Sequence, residues 1–144
     1  MALRALLDVN TLIALIDTDH LFHLTAKAWV TAHGDAGWAT CPLTQNGCIR
    51  IMSHASYTSP VAQALVMQTL QTMCGASAHR FFTDDLSLLS PAHFQQTHIH
   101  SPRQITDVYL LGLAVHHEAR LVTFDQRIPL SAVKGAKAHH LVVL

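Results

Sequence analysis

The sequence predicts an α/β fold, a three-layer α/β/α sandwich in which helices cover both faces of a short parallel sheet. Two apolar runs, residues 5–7 and 120–124, are each followed by an acid, Asp8 and Asp125, which is the pattern of a buried parallel strand. Helical apolar periods alternate with further short apolar runs along the rest of the chain. With 144 residues and 50% hydrophobic content, the chain suits one core, so we expect one domain over residues 1–144.

The first half of the chain predicts two strands and three helices. Gly34 stops the second helix, and Pro42 is suited to the first turn of the third, which Thr44 or a neighbour caps. Gln45 therefore falls near the start of the third helix. After the first strand, the predicted elements are helices at residues 11–17 and 24–32, a strand at residues 38–40 and a helix at residues 43–52.

The second half contains the strongest helix signal, which begins at Ser101. Proline follows this serine, and Gln104 lies three residues after it, as in a capping box. The residues that follow are nearly all apolar, so we expect this helix to be buried on most sides, with Asp107 in its second turn. The predicted elements are a helix from Pro60 to residue 74, a strand at residues 79–82, a helix at residues 102–115 and a strand at residues 141–144.

Charge is scarce and balanced. Nine basic and nine acidic residues cancel, and charged residues make up only 12% of the chain. The balance leaves no global positive field to gather nucleic acid, so any RNA binding must be local. The low charge beside an apolar excess favours oligomerisation, because another chain can cover part of the apolar surface.

The cysteines indicate a reducing compartment. Cys41, Cys48 and Cys74 are odd in number and lack Cys-x-x-Cys spacing, which argues against a disulfide framework and a structural zinc site. Asp8 comes too early for a signal-peptide core, and no apolar stretch reaches the ~20 residues of a membrane span. We therefore expect a cytoplasmic protein without a membrane segment.

Three acids, Asp8, Asp107 and Asp125, suggest one metal site. Asp107 lies inside an apolar helix, where an unpaired carboxylate is costly, although a solvated or capping role is the ordinary one for a single helical aspartate. Asp8 alone fits a helix cap equally well. Together, clustered carboxylates repel by several kcal/mol, about 4 for a pair at ~4 Å and an effective dielectric near 20, unless a divalent ion joins them. Their hard oxygen atoms favour magnesium, or manganese, as the ion.

Neutral and basic residues adjoin these acids. Asn10 and Thr123 add neutral oxygens suited to holding a water or orienting a phosphate. Arginines that flank the acids, Arg50, Arg103 and Arg127, suit contacts with substrate phosphates, and a purely solvating role suits them as well.

Four segments in this order resemble the PIN-domain family, and within it the VapC-like toxin ribonucleases of type II toxin–antitoxin systems. The segments are Leu-Leu-Asp-Val-Asn at residues 6–10, Thr-Gln-Asn-Gly at 44–47, Ile-Thr-Asp-Val-Tyr-Leu-Leu at 105–111 and Thr-Phe-Asp at 123–125. The resemblance implies that Asp8, Asp107 and Asp125 hold Mg²⁺ or Mn²⁺ at the carboxyl edge of the sheet and that the ion activates a water to cut single-stranded or loop RNA. It also implies a homodimer and a cognate antitoxin whose tail crosses the acidic site.

Gln45 departs from the family pattern, because many members have a second glutamate there. Its amide oxygen is still suited to ligating an ion or positioning a water, so we include Gln45 among the catalytic residues. The missing charge favours a single-ion mechanism over a two-ion one. It also leaves open a second function, a catalytically weakened module that mainly binds antitoxin or RNA. Asn46 points about 100° away and is not expected to reach the same ion.

Three further groups of residues are less informative about function. The neighbouring histidines, such as His116 and His117, lack a His-Glu-x-x-His pattern, and adjacent histidines do not share a helix face, so we expect them to be solvated or to contact RNA. The pair Asp84 and Asp85 is expected to form a solvated turn or a helix cap. Asp8 and its neighbours also faintly resemble the nucleophile motif of haloacid-dehalogenase-like phosphatases, but the further acids and the lysine of that family are missing.

Overall fold

The computed structural model describes residues 2–144 and contains a sheet of five strands that all run parallel. The strands are β1 (Ala5–Leu7), β2 (Trp38–Thr40), β3 (His79–Phe81), β4 (Arg120–Thr123) and β5 (Leu141–Val143). Their order across the sheet is β3-β2-β1-β4-β5, so the first strand is central. The α/β class predicted from the sequence is confirmed, and so is the strand predicted at residues 38–40.

Five α-helices lie within residues 2–144. They are α1 (Val9–Ile16), α2 (His23–His33), α3 (Pro42–Ser53), α4 (Gln63–Cys74) and α5 (Ile105–His116). In this part of the chain no helix combines the length and the hydrophobicity needed to cross a membrane.

The helices form two layers, one on each face of the sheet. Leu6 is fully buried in a cluster with the apolar residues of α5, whereas its neighbours Ala5 and Leu7 are buried in a second cluster with α1, α3 and α4. Successive side chains of a strand point to opposite faces, so β1 contributes to both cores. The result is the three-layer sandwich expected from the sequence.

The topology of the sheet changes direction at its centre, between β1 and β4. β1 and β4 are neighbours, with Leu6 paired to Leu121 and Leu7 paired to Val122. From β1 the chain continues to β2 on one side, and β4 lies on the other side, so the connections diverge at this point. Ligands of open parallel sheets bind in the crevice at the carboxyl ends of such strands. Asp8 directly follows β1, and Asp125 lies two residues after β4.

The start of α4 was predicted too early. The helix begins at Gln63 rather than at Pro60, and Ala62 still has an extended backbone with ψ of 133°. The Val61 amide donates a hydrogen bond to the Met52 carbonyl at 2.9 Å, next to the end of α3. This bond between residues nine positions apart closes the turn before α4, and the pattern of helix signals does not reveal it.

The start of α5 also differs. The residues Pro102–Gln104 form a 3-10 turn, and the α-helix begins at Ile105, so Asp107 is in its first turn rather than its second. Ser101 caps the 3-10 turn by accepting a hydrogen bond from the Arg103 amide at 3.2 Å. The Gln104 side chain accepts from the His100 amide instead of completing the box with Ser101.

Candidate active site

Asp8 is a buried carboxylate with three roles at the end of β1. Its amide donates to the Val122 carbonyl of β4 at 3.1 Å, and its side chain caps α1 by accepting from the Thr11 amide at 2.8 Å. The second carboxylate oxygen accepts from the Thr123 hydroxyl at 2.6 Å. Burial raises the pKa of Asp8, hydrogen bonds from Thr123 and Thr11 lower it, and the charge of Asp125 raises it again.

Asp125 is placed by a tight turn after β4. Its amide donates to the Thr123 hydroxyl at 3.0 Å, so one hydroxyl connects Asp8 and Asp125. Its own carboxylate accepts from the Arg127 amide at 2.8 Å, which is an aspartate turn. The Arg127 side chain approaches the same oxygen, with Nε at 3.6 Å, while remaining 78% exposed.

Asp107 lies on α5, the helix on the face of the sheet opposite to α1. It is half-buried in the first turn of α5, a helix whose next two turns are almost entirely core. Burial raises the pKa of Asp107 to about 7, with further contributions from the charges of Asp8 and Asp125 and from a hydrogen bond with Asp125. Burial is the largest cause of the raised pKa of Asp107, and the charges of Asp8 and Asp125 add to it because both carboxylates lie close by.

The three aspartates do not form a closed cage. Among residues 2–144, the only group of three histidine, cysteine or acidic side chains whose ligand atoms all lie within 4.8 Å of one another is a different one. A hydrated Mg²⁺ or Mn²⁺ fits an open arrangement, because magnesium keeps several of its waters and takes only one or two carboxylates directly. A divalent ion would also offset the repulsion that raises the pKa of Asp107.

Gln45 lies in the first turn of α3, and its amide is held from one side. Nε2 donates to the Thr40 hydroxyl at 2.9 Å, and that hydroxyl is 2.8 Å from His79 Nε2. No residue of the described chain forms a hydrogen bond with Gln45 Oε1, and none of its bonds goes to the three aspartates. The structure therefore fixes the nitrogen end of the amide and leaves its oxygen open.

The remaining candidates are divided between the crevice and other surfaces. Asn10 is exposed and shares a shallow cavity with Asp125 and Arg127. Arg103 is exposed in the turn that precedes α5. Arg50 lies near the end of α3 and lines a separate surface cavity with His54 and Tyr57, so the structure does not bring it to the acids.

The interpretation of His116 and His117 needs correction. Both imidazoles reach one carboxylate, that of Asp85, because α5 ends at His116 and the helical spacing no longer applies to the next residue. Asp84 fits the predicted capping role, since it accepts from the Leu43 amide in the first turn of α3 at 3.2 Å. The Asp85 carboxylate therefore has two imidazole partners, which the sequence analysis did not identify.

Comparison with known proteins reveals close relatives over nearly the whole chain. The chain is 46% identical over 142 residues to ribonuclease VapC44 of Mycobacterium tuberculosis, and this alignment covers 99% of the chain and 100% of the relative. It is 37% identical over 134 residues to ribonuclease VapC39 of the same species, covering 92% and 96%. Ribonuclease VapC38 is 40% identical over 122 residues and covers 84% of each chain. No family model matches the sequence.

Proposed function

The chain belongs to the VapC family of ribonucleases, the PIN-domain toxins of toxin–antitoxin systems, and from this premise we propose that it is a toxin endoribonuclease formed by one PIN-like domain over residues 1–144. The observation that carries the proposal is the convergence of Asp8, Asp107 and Asp125 at the divergence point of a parallel sheet. The expected substrate is single-stranded or loop RNA, because a shallow open crevice suits a flexible strand better than a rigid duplex.

The proposed cofactor is Mg²⁺, with Mn²⁺ as an alternative, held by Asp8, Asp107 and Asp125. The support is the chemistry of the donor set, which offers only hard oxygen atoms: burial, and then the charges of neighbouring carboxylates, raise the pKa of Asp8 and of Asp107. A bound ion of this class supplies the positive charge that activates water and offsets the charge developing on the phosphodiester. Because water is the proposed nucleophile, no covalent adduct forms on the protein.

Other residues have supporting roles in this proposal. Thr123 orients the carboxylate of Asp8, and Asn10 offers an exposed amide beside Asp125. Gln45 lines a separate cavity with Leu70 and Cys74, so its proposed role requires that Oε1, which no described residue binds, turn toward a ligand or a water at the acids. Arg127, beside Asp125, and Arg103, in the turn before α5, are exposed and suit contacts with RNA phosphates. Arg50 lines a separate surface cavity, which does not support that role.

The proposed partners are a cognate antitoxin and a second copy of the chain. An exposed apolar patch supports the presence of a partner: Leu21 and Leu24 are 86% and 77% exposed, and Phe22 between them stacks on Phe124, which adjoins Asp125. Such a patch is costly to leave in water. We further propose a cytoplasmic location, where Cys41, Cys48 and Cys74 stay free as they are in the structure.

The proposal is tested with purified protein and a structured RNA that carries a single-stranded loop. Cleavage should require Mg²⁺ or Mn²⁺, cease in excess EDTA and fall by orders of magnitude in Asp8→Asn and Asp107→Asn. Asp35→Asn, which changes an exposed acid after α2, is the matched control and should leave cleavage intact. Full activity in EDTA would overturn the metal-dependent mechanism.

The binding-module alternative predicts a different result from the same preparation. RNA or antitoxin would bind, but cleavage would not exceed that of a triple variant with Asp8, Asp107 and Asp125 all changed to asparagine. The favouring observation is the neutral Gln45 at a position that many family members fill with an acid.

A phosphatase would instead hydrolyse small phosphomonoesters and leave an aspartyl-phosphate on Asp8.

A further inference from the structure

We propose a second metal site, formed by Asp85, His116 and His117, that takes a late first-row divalent ion such as Zn²⁺. One ligand atom of each side chain lies within 4.8 Å of the other two. The site is at the carboxyl end of α5, nine residues from Asp107 and therefore about 14 Å away along the helix axis at ~1.5 Å per residue. It is separate from the aspartate crevice and does not depend on the proposed ribonuclease function.

The end of α5 explains how two adjacent histidines reach one carboxylate. His116 is the last helical residue, and His117 has left helical geometry, with φ of −94° and ψ of 14°. Glu118 then adopts a left-handed conformation with φ of 54°, which reverses the chain toward β4. The side chains of His116 and His117 converge at this helix end, where both imidazoles approach Asp85.

One ligand of the site is already held in position. The His117 ring stacks on the buried Phe82 ring with 4.3 Å between centroids and 11° between planes. His117 Nε2 lies 3.2 Å from Asp85 Oδ1, and His116 Nε2 lies 3.7 Å from Asp85 Oδ2. Tetrahedral ligands with bonds near ~2.1 Å are about 3.4 Å apart. The half-exposed side chains of Asp85 and His116 need only small rotations to meet that spacing.

The ligand types select the ion. Two imidazole nitrogens and one carboxylate oxygen suit zinc, cobalt and nickel, whereas Mg²⁺ prefers an all-oxygen set. Without metal, His117 Nε2 lies near the Thr83 carbonyl (3.4 Å) as well as Asp85, which suits a nitrogen that carries a hydrogen. The ion takes the place of that hydrogen on Nε2, the neutral ring carries its hydrogen on Nδ1 instead, and water completes the coordination.

Metal at this position would connect two segments that are distant in sequence. Asp85 follows β3, and its neighbour Asp84 accepts from the first turn of α3 through Leu43. An ion on Asp85 and the two histidines therefore fastens the end of α5 to the segment that caps α3. The expected consequence is a rise in Tm on binding, because the ion binds only the folded arrangement.

The test is a titration of the untagged full-length protein with Co²⁺, followed by visible absorption, with Zn²⁺ added as competitor. Wild-type protein should show one site with intense d–d bands that Zn²⁺ abolishes. Asp85→Asn and His116→Gln should each weaken Co²⁺ binding by at least roughly tenfold, since each removes a ligand. Circular dichroism shows whether each variant is folded, and His116, whose side chain is 36% exposed, is replaceable without touching the core.

Two controls separate this site from other metal binding. A double variant with His139 and His140 changed to alanine removes another adjacent histidine pair and should leave the titration unchanged. Asp107→Asn disables the aspartate crevice and should also leave it unchanged. Absence of the bands in wild-type protein would show only a hydrogen-bonded ion pair and overturn the site. The proposed site would also be overturned if Asp85→Asn and His116→Gln both kept full affinity for Co²⁺, or if Asp107→Asn lost it.

Discussion

The Thr123 hydroxyl donates a 2.6 Å hydrogen bond to the Asp8 carboxylate and so connects the ends of β4 and β1. The same oxygen accepts from the Asp125 amide at 3.0 Å, so the hydroxyl also fixes the turn that carries the second acid. Asp8 is only 5% exposed, and burial raises its pKa against the opposing effect of Thr123. The ionised state of Asp8 therefore depends on this one threonine more than on any solvent contact.

Removal of that hydroxyl should destabilise the protein. Thr123→Val keeps the shape but removes the partner of one Asp8 carboxylate oxygen and of the Asp125 amide, at a cost of about 1–3 kcal/mol in the free energy of unfolding. RNA cleavage should fall as well, because Asp8 is no longer oriented. Urea unfolding in EDTA measures the first effect. Thr123→Ser retains the hydroxyl, so equal stability of the two variants would contradict the prediction.

Asp107 should make the stability of the metal-free protein depend on pH. Its pKa is about 7 in the folded chain, where burial raises it above the ordinary aspartate value of 3.8, so the native state holds the proton more tightly than the unfolded state does. The free energy of unfolding therefore falls progressively as the pH rises from about 4 to about 7, because Asp107 must ionise in its buried position. Asp107→Asn removes this cost.

The variant should be more stable than wild type at pH 8 in EDTA, and the difference should vanish toward pH 4. Thermal unfolding across this range measures it. Saturating Mg²⁺ should reverse the order at pH 8, because wild-type protein gains a stabilising ligand that the variant binds weakly. A difference that does not change with pH would show that burial rather than ionisation of Asp107 sets the effect.

The sequence predicts those parts of the fold that follow from local pattern and from the geometry of parallel sheets. The strand at Trp38–Thr40 follows from apolar residues between Gly37 and Pro42, and the proximity of Asp8 and Asp125 follows because carboxyl ends of parallel strands share one edge. Both the strand and the proximity of the two aspartates depend only on residue spacing and on the apolar pattern.

Features that depend on contacts between elements could not be predicted from the sequence. The start of α4 is set by the bond from Val61 to Met52, and the direction of Gln45 is set by Thr40, a residue in another element. The meeting of His116 with His117 depends on where α5 stops, which a periodic apolar pattern locates only to within a few residues. Packing and side-chain rotamers determine these helix ends and side-chain directions, and the spacing of residues in the sequence does not specify them.

Gly112 should not tolerate a side chain. It lies in the buried middle of α5, and an added Cβ would overlap two carbon atoms of the Phe94 ring and approach Leu86 at 3.3 Å. Phe94 is 2% exposed and has no room to retreat, so Gly112→Ala should cost about 1–3 kcal/mol despite alanine's better helix propensity. Chemical denaturation gives the value.

Gly34 is the matched control for that substitution. It has ordinary right-handed backbone geometry, φ of −61° and ψ of −24°, and a Cβ there would meet nothing within 4 Å. Gly34→Ala should therefore stabilise the protein by about 0.4–1 kcal/mol through the unfolded state. Equal effects of the two alanines would mean that Phe94 moves away readily.

Gln45→Glu should tighten Mn²⁺ binding if the side chain acts at the crevice. The amide nitrogen is anchored on Thr40 while Oε1 has no partner among residues 2–144, so a carboxylate at this position is free to direct one oxygen at an ion. One added negative charge near a divalent ion, at an effective dielectric near 20, should strengthen binding by at least roughly tenfold. It should also permit a second ion, which wild-type protein is expected to hold only with RNA bound.

Calorimetric titration with Mn²⁺ measures both affinity and stoichiometry, and Asn46→Asp is the matched control. That variant adds the same charge on the next residue of α3, which points about 100° away and is exposed. A direct role for residue 45 predicts a large effect of Gln45→Glu and a small one of Asn46→Asp. Equal tightening by both would reflect long-range attraction alone, and no change in either would place Gln45 outside the metal's surroundings.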